Sequence, residues 1–92
     1  MIAKKTVETA AVLLAAAGRR SYAVVSNHGT ATAYLALDGS SDVSGPAGEK
    51  PGQILPPGGS VSQAGLAPQG SPAPAIYASC PGGSTVLSIE TN

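Results

Sequence analysis

Few residues of this chain could carry out chemistry, and His28 is the first to consider. It is the only histidine among 92 residues, and histidine is the side chain best suited to acid–base catalysis near neutral pH. It lies in Asn27-His28-Gly29, whose residue types favour a tight turn. Catalysis also requires a nucleophile and an orienting carboxylate, which no motif around His28 supplies. We therefore interpret His28 as a turn residue.

A second candidate is a calcium site in the segment that begins at Asp38. Asp38-Gly39-Ser40-Ser41-Asp42 places side-chain oxygens at alternate positions, and Glu49 is the twelfth residue counted from Asp38. The glycine, however, is misplaced, because a calcium loop of this length requires it at the sixth position. The pattern therefore favours a solvated loop, and we predict no metal site.

The remaining motifs match catalytic or binding patterns only in part. Gly58-Gly59-Ser60 and Gly82-Gly83-Ser84 lack the lysine and the following helix of a phosphate-binding loop. No Gly-x-Ser-x-Gly segment is present to expose a serine nucleophile. The single Cys80 has no partner for a disulfide or a zinc site, so we interpret it as a small buried hydrophobe. We predict that the protein is not an enzyme and has no catalytic residue, cofactor or small-molecule substrate.

The composition predicts one small domain with a thin core. Alanine accounts for 16 residues, valine, leucine and isoleucine together for 18, and phenylalanine and tryptophan are absent. A domain of this size buries only about 60–70% of its unfolded surface and gains from association. Charged residues make up 11% of the chain, and the net charge is zero. This argues against nucleic-acid binding and favours a protein that lives inside an assembly.

The basic residues are concentrated at the beginning of the sequence. Lys4, Lys5, Arg19 and Arg20 are four of the five, whereas four of the five acidic residues lie from residue 38 onward. This asymmetry can orient the protein on an acidic partner surface, and an exposed solubilising end explains it equally well. Together with Ile2, these four residues form our candidate contact set.

The segment from residue 10 to residue 17, preceded by Lys4 and Lys5, is similar to a secretory signal. Glu8 and Thr9 interrupt the pattern, so that only eight apolar residues follow one another. We favour a segment of the mature fold, with a secreted bacterial surface domain as the alternative. A membrane-spanning helix needs about 20 apolar residues, so none is predicted.

From residue 21 onward, alternating apolar residues between turn residues predict short strands. The predicted strands are 21–27, 32–37, 53–55, 60–63, 75–80 and 84–91. We predict that the first two form a hairpin, and that the last two form a closing hairpin around Pro81-Gly82-Gly83. The three tyrosines, Tyr22, Tyr34 and Tyr77, all fall in these strands, which favours packing in the core or a subunit interface over ligand stacking.

Two loops rich in proline and glycine, residues 38–53 and 65–74, separate the strands. Residues 6–17 have high helix propensity, but the all-β remainder favours extended structure there. We divide the chain into residues 1–20, an N-terminal arm or the first strands, and residues 21–92, a β-sandwich domain. The predicted fold is all-β, a small sandwich of jelly-roll or immunoglobulin-like topology.

Seven segments in a fixed order carry a resemblance to known proteins. They are Leu14-Ala15-Ala16, Arg19-Arg20, Tyr22 to Asn27, Ala33-Tyr34-Leu35, Leu55-Pro56-Pro57-Gly58-Gly59-Ser60, Ile76-Tyr77-Ala78 and Val86 to Glu90. In this order and spacing they resemble a family of small virion proteins of tailed bacteriophages. The resemblance implies a small β-sandwich, often trimeric, that decorates or cements the capsid or forms another minor head or tail component. The two long loops depart from the family pattern, and the family has no catalytic motif.

On this resemblance we expect a decoration or cement protein that stabilises the expanded head. It is expected to be made in the host bacterial cytoplasm, to bind the outside of the major capsid protein as a homotrimer, and to contact neither nucleic acid nor membrane. The candidate contact set, Ile2, Lys4, Lys5, Arg19 and Arg20, is then the capsid contact. The alternative is a tail or fibre module that binds a host surface glycan, although neither long loop contains an aromatic side chain for a sugar to stack on.

Overall fold

A computed structural model describes residues 2–18, 22–41, 43, 52–64 and 73–91. These residues form eight β-strands and no helix, so none of the described segments is a helix long enough to cross a membrane. The strands are β1 Ile2–Val7, β2 Val12–Ala15, β3 Tyr22–Asn27, β4 Ala33–Ala36, β5 Gln53–Leu55, β6 Ser60–Ala64, β7 Ile76–Ser79 and β8 Thr85–Thr91.

The strands form two four-stranded antiparallel sheets. Sheet A has the order β1-β8-β3-β6, and sheet B has the order β2-β7-β4-β5. The pairs β1·β8, β2·β7, β3·β6 and β4·β5 are nested like one long hairpin whose tip is the β4–β5 connection. Because β8 also pairs with β3, and β7 with β4, this hairpin is rolled into an eight-stranded jelly roll. The predicted β-sandwich is confirmed, with the jelly-roll order of strands.

The core lies between the inward faces of the two sheets. Val25 and Leu87 of sheet A and Leu35, Leu55 and Ile76 of sheet B are at most 1% exposed. They alternate with outward residues, as the period of two in the sequence predicts. The interpretation of Cys80 as a small buried hydrophobe is also confirmed, because its free thiol is fully buried. No aromatic side chain is among the buried residues of the described chain, so the core is thin.

Both predicted hairpins are wrong, because each is divided between the two sheets. Strand β3 belongs to sheet A and β4 to sheet B, while β7 belongs to sheet B and β8 to sheet A. The turns after residues 27 and 79 therefore cross over the core instead of reversing the chain within one sheet. Alternation identifies the inward residues, but a hairpin and a crossover bury the same residues, so the pattern does not distinguish them.

Asn27 joins these crossovers at one end of the sandwich. Its side chain is 2% exposed, and its Nδ2 donates to the carbonyl oxygens of Ala31 at 2.8 Å and Leu55 at 3.0 Å. Its Oδ1 accepts from the Gly29 backbone N–H at 3.0 Å and from the Thr85 hydroxyl at 2.6 Å. Only glycine fits at position 29, because a β-carbon there would overlap the Thr85 hydroxyl. One amide thus connects β3, β5 and β8.

Two long polar side chains bridge the open edges of the sandwich. Lys5 lies on the inward face of β1, and its Nζ donates to the carbonyl oxygen of Leu13 in β2 at 2.6 Å. At the opposite edge, Nε2 of Gln63 in β6 donates to the carbonyl oxygen of Leu37 at 3.1 Å. Inward-pointing polar side chains on edge strands protect the sheet from pairing with other chains.

Residues 2–18 supply one edge strand to each sheet. Strand β1 pairs with β8 along its whole length, and β2 pairs with β7 with a bulge between Leu13 and Ala15. The extended structure predicted for residues 6–17 is confirmed, because pairing with distant strands overrides the helix propensity of this alanine-rich segment.

Candidate interaction surfaces

The fold brings a serine to the only histidine. His28 Nε2 lies 2.8 Å from Oγ of Ser88, a residue on the neighbouring strand β8. No sequence motif indicates this partner for His28, because the contact depends on the pairing of β3 with β8. The pair is exposed, and no described carboxylate is hydrogen-bonded to the imidazole. Without an orienting group or an enclosed site, the geometry is that of a surface hydrogen bond.

The segment considered as a calcium loop begins with a turn closed by its own side chain. Asp38 Oδ1 accepts a hydrogen bond from the Ser40 backbone N–H at 3.0 Å, and Gly39 has a φ of 91°. Asp42 and Glu49 lie outside the described residues. Within the described ranges, no group of three or more His, Cys, Asp or Glu side chains could hold a metal ion.

An open cleft of about 560 Å³ lies beside this turn. It is lined by polar Asp38, Ser40 and Gln53 and by apolar Leu35, Leu37 and Val43. Gly52 lets Val43 and the Leu35 backbone lie close together beside the cleft, because a β-carbon at position 52 would overlap both. The volume is within the range of small-ligand sites, about 300–1,000 Å³.

The candidate contact set does not form one surface. Ile2 and Lys4 lie on the outer face of sheet A, in register with the outward residues of β8. Lys5 lies on the inward face of the same strand and is hydrogen-bonded across the edge of the sandwich. Arg19 and Arg20 lie outside the described residues.

The rest of the outer face of sheet A is mostly polar. Four serines lie close to one another on this face: Ser26, Ser60, Ser62 and Ser88. The Tyr22 hydroxyl donates to Oε2 of Glu90 at 3.3 Å. Desolvation, together with the adjacent Glu90 carboxylate, raises the pKa of the Tyr22 hydroxyl. Small hydroxyls interact well with water, so covering these four serines contributes little to binding.

The outer face of sheet B carries no charged side chain and is mainly apolar. Two rows of residues cross its strands, the first being Leu13, Tyr77 and Ala36, and the second Ser79, Tyr34 and Ile54. We call these six residues the tyrosine face. Leu13 and Ile54, at its two edges, are 37% and 55% exposed, and Ile2 is the only other large hydrophobic residue exposed in the described chain.

One buried polar atom belongs to the tyrosine face. Ser79 points outward, since its neighbours Ala78 and Cys80 are in the core, and it lies opposite Tyr34 in the register. Its side chain is 1% exposed, and its hydroxyl has no hydrogen-bond partner among the described residues. A buried hydroxyl without a partner lowers the free energy of unfolding by about 1–3 kcal/mol, so the Ser79 hydroxyl destabilises the fold.

From the sequence, Tyr34 and Tyr77 were predicted to pack in the core or in a subunit interface, whereas the aliphatic residues of this face were not singled out. Leu13 is adjacent to the buried Leu14, and Ile54 is adjacent to the buried Leu55. Each therefore occupies an outward position next to an inward one, and this alternation was the available signal. In strands of three or four residues the alternation is too short to identify the outward face.

Comparison of the chain with protein-family models, curated proteins and solved structures finds no match.

Proposed function

We propose that this protein is a structural, non-catalytic component of a tailed-phage virion that binds the outside of the capsid as a decoration or cement protein. Two lines support the proposal. The first is the resemblance of the sequence to small virion proteins. The second is an eight-stranded jelly roll with an uncharged apolar face.

The tyrosine face is the observation that carries the proposal. Large contiguous apolar patches on a surface mark interaction sites, whereas single exposed hydrophobic residues do not. Tyrosine suits such sites, because its ring packs while its hydroxyl finds a hydrogen-bond partner. The net charge of zero adds little repulsion between molecules. These properties fit a protein that works in an assembly of protein subunits.

In this role the protein acts by mass action. A protein that binds only the expanded shell stabilises that shell. The stabilisation grows with the ratio of the free protein concentration to the dissociation constant of the protein–shell complex. Ile2 and Lys4 remain our proposed shell contacts, because Ile2 is 67% exposed and the Lys4 ammonium has no partner among the described residues. Lys5 is left out, because its ammonium already binds the carbonyl oxygen of Leu13.

The test is co-sedimentation of the purified protein with expanded heads of the phage that encodes it. We expect binding that saturates at a copy number set by the symmetry of the shell. Lys4→Ala should weaken binding, whereas Thr6→Ala, on the same face of β1, should not. Wild-type protein that stays in the supernatant at every concentration would contradict the proposal.

A second candidate function, binding of a host surface glycan, is favoured by the cleft next to residue 38. Asp38, Ser40 and Gln53 line it with a carboxylate, a hydroxyl and an amide, the groups that bind vicinal sugar hydroxyls, beside apolar lining residues. Titration with fragments of host surface polysaccharide, followed by NMR, tests this function. Chemical-shift changes confined to the cleft, and lost in Asp38→Ala, would support it, and unchanged spectra would exclude it.

A further inference from the structure

Three polar side chains meet on the outer face of sheet A, and we propose that together they bind a carboxylate of an acidic protein surface. They are Lys4, His28 and Ser88, and we call them the carboxylate site. The inference rests on the assembly role proposed above, because it names the chemical group on the shell that Lys4 contacts. It can be tested without heads, so its failure is distinguishable from a failure to bind them.

Ser88 is the centre of the carboxylate site. Lys4 lies directly opposite Ser88 in the register of β1 with β8, which places their β-carbons about 4.5–5.5 Å apart. On the other side, His28 Nε2 lies 2.8 Å from the Ser88 hydroxyl. The flexible four-carbon stem of lysine spans this distance, so the Lys4 ammonium can reach a group that is bound above Ser88.

The site offers mainly hydrogen-bond donors. A lysine ammonium has three donors and no acceptor, and that of Lys4 has no partner among the described residues. When His28 Nε2–H donates to Ser88, the serine hydroxyl keeps its own proton free to donate outward. Ser26, opposite Ser88 on β3, adds a further hydroxyl. A ligand for these groups must supply acceptor oxygens, and a negative charge on those oxygens strengthens the bonds.

The charges around the site favour a ligand with one negative charge. Within the described residues, Lys4 is the only lysine or arginine on this face. Glu90 lies two residues from Ser88 along β8, about 6.8 Å away, and its Oε2 accepts from the Tyr22 hydroxyl. A phosphate with about two negative charges would be repelled by Glu90, and a nucleic-acid backbone requires several basic residues. A carboxylate matches the single ammonium.

The exposure of the site indicates a protein surface as the source of the carboxylate. An ion pair between exposed charges strengthens binding at most about fivefold, so a free carboxylate ion is held only weakly. A protein that covers the site excludes water and strengthens the attraction between the same two charges. Ile2, on the same face of β1 and 67% exposed, offers such a protein an apolar contact next to Lys4. The charge pair then fixes the orientation of the protein on the shell.

NMR titration of the full chain at low ionic strength tests the inference. The probe is a capped peptide of alternating glutamate and serine, and the control probe has glutamine in place of glutamate. His28 is the only histidine, so its ring signals are identified at once. We expect the glutamate peptide to shift the signals of Lys4, His28 and Ser88, and the glutamine peptide to shift none of them.

Three variants separate the site from general charge attraction. Lys4→Gln should lower the association constant of the glutamate peptide about two- to fivefold. Lys5→Gln is the matched control, because it removes the same charge from the same strand, but its ammonium already binds the carbonyl oxygen of Leu13, so the constant should not change. Glu90→Gln removes the neighbouring negative charge and should raise the constant. Circular dichroism verifies that each variant folds.

Co-sedimentation with expanded heads connects the site to the shell. Lys4→Glu should weaken binding to heads at least tenfold, because it places one carboxylate opposite another. Wild-type protein that binds the glutamate peptide but not heads would support the carboxylate site and contradict the proposed function.

Three results would overturn the inference. The first is that the signals of the site do not move at the highest soluble concentration of the glutamate peptide. The second is an equal loss of peptide binding in Lys4→Gln and Lys5→Gln, which would show attraction to positive charge in general. The third is inorganic phosphate that binds the site more tightly than the glutamate peptide, because the ligand would then be a phosphate.

Discussion

Replacing Asn27 with alanine should remove a large part of the stability of this fold. The substitution leaves four hydrogen-bonding groups without their partner, two of them in bonds that are buried. A buried group left unpaired costs about 1–3 kcal/mol, and a partly exposed one recovers water at lower cost. We therefore expect a loss of about 3–4 kcal/mol, against a total stability of roughly 5–14 kcal/mol for a domain of this length.

Urea unfolding followed by circular dichroism measures this loss directly. A decrease of that size lowers the midpoint of thermal unfolding by about 12 °C or more. Ser26→Ala is the matched control, since it removes a polar group from the outward face of the same strand, and it should change stability by less than about 0.5 kcal/mol. Asn27→Asp keeps the hydrogen bonds accepted from Gly29 and Thr85. It loses the two bonds that Asn27 donates to the carbonyl oxygens of Ala31 and Leu55.

The double variant with Thr85→Val tests whether the network acts as a unit. If the Thr85 hydroxyl stabilises the fold through Asn27, the two losses are not additive, and the coupling exceeds about 0.5 kcal/mol. A loss below about 1 kcal/mol for Asn27→Ala would refute the reasoning. The crossovers would then be held by packing of the core alone.

Three further predictions follow from single side chains. Ser79→Ala removes a buried hydroxyl that lacks a partner, so it should raise the free energy of unfolding by about 1 kcal/mol in urea, and a loss would show that the hydroxyl is satisfied. Burial raises the pKa of the Cys80 thiol above its ordinary value of 9.0, so the folded state keeps a proton that the unfolded state releases. The free energy of unfolding should therefore fall as pH rises above about 9, less steeply in Cys80→Ala, and a thiol reagent should label the folded protein only on opening. Lys5→Met removes the bond to Leu13 and leaves the edge unprotected, so light scattering should detect faster aggregation on heating, whereas Lys4→Met should behave like wild type.

The sequence was informative about strands and inward faces, and uninformative about which strands are neighbours. The positions of Val25 and Leu87 in the core follow from alternation, which is a local property. The crossover after Asn27 follows from bonds to residues far away in the sequence, so no local pattern encodes it. The tyrosine face was predictable only in part. Its tyrosines could be identified from the sequence, but its edges lie on two of the shortest strands, where the alternation is too short to read.

The nested pairing of the strands also constrains how the chain folds. The β4·β5 pair encloses the shortest segment, and each later pair, ending with β1·β8, encloses all the earlier ones. Folding is therefore expected to begin at the tip of the long hairpin and to proceed outward, with the slow rates of all-β proteins rich in distant contacts. The β4–β5 loop then sets the entropy of the first closure, and doubling its length adds only about 0.6 kcal/mol to that step. This loop is the place where evolution can insert residues without obstructing the folding route.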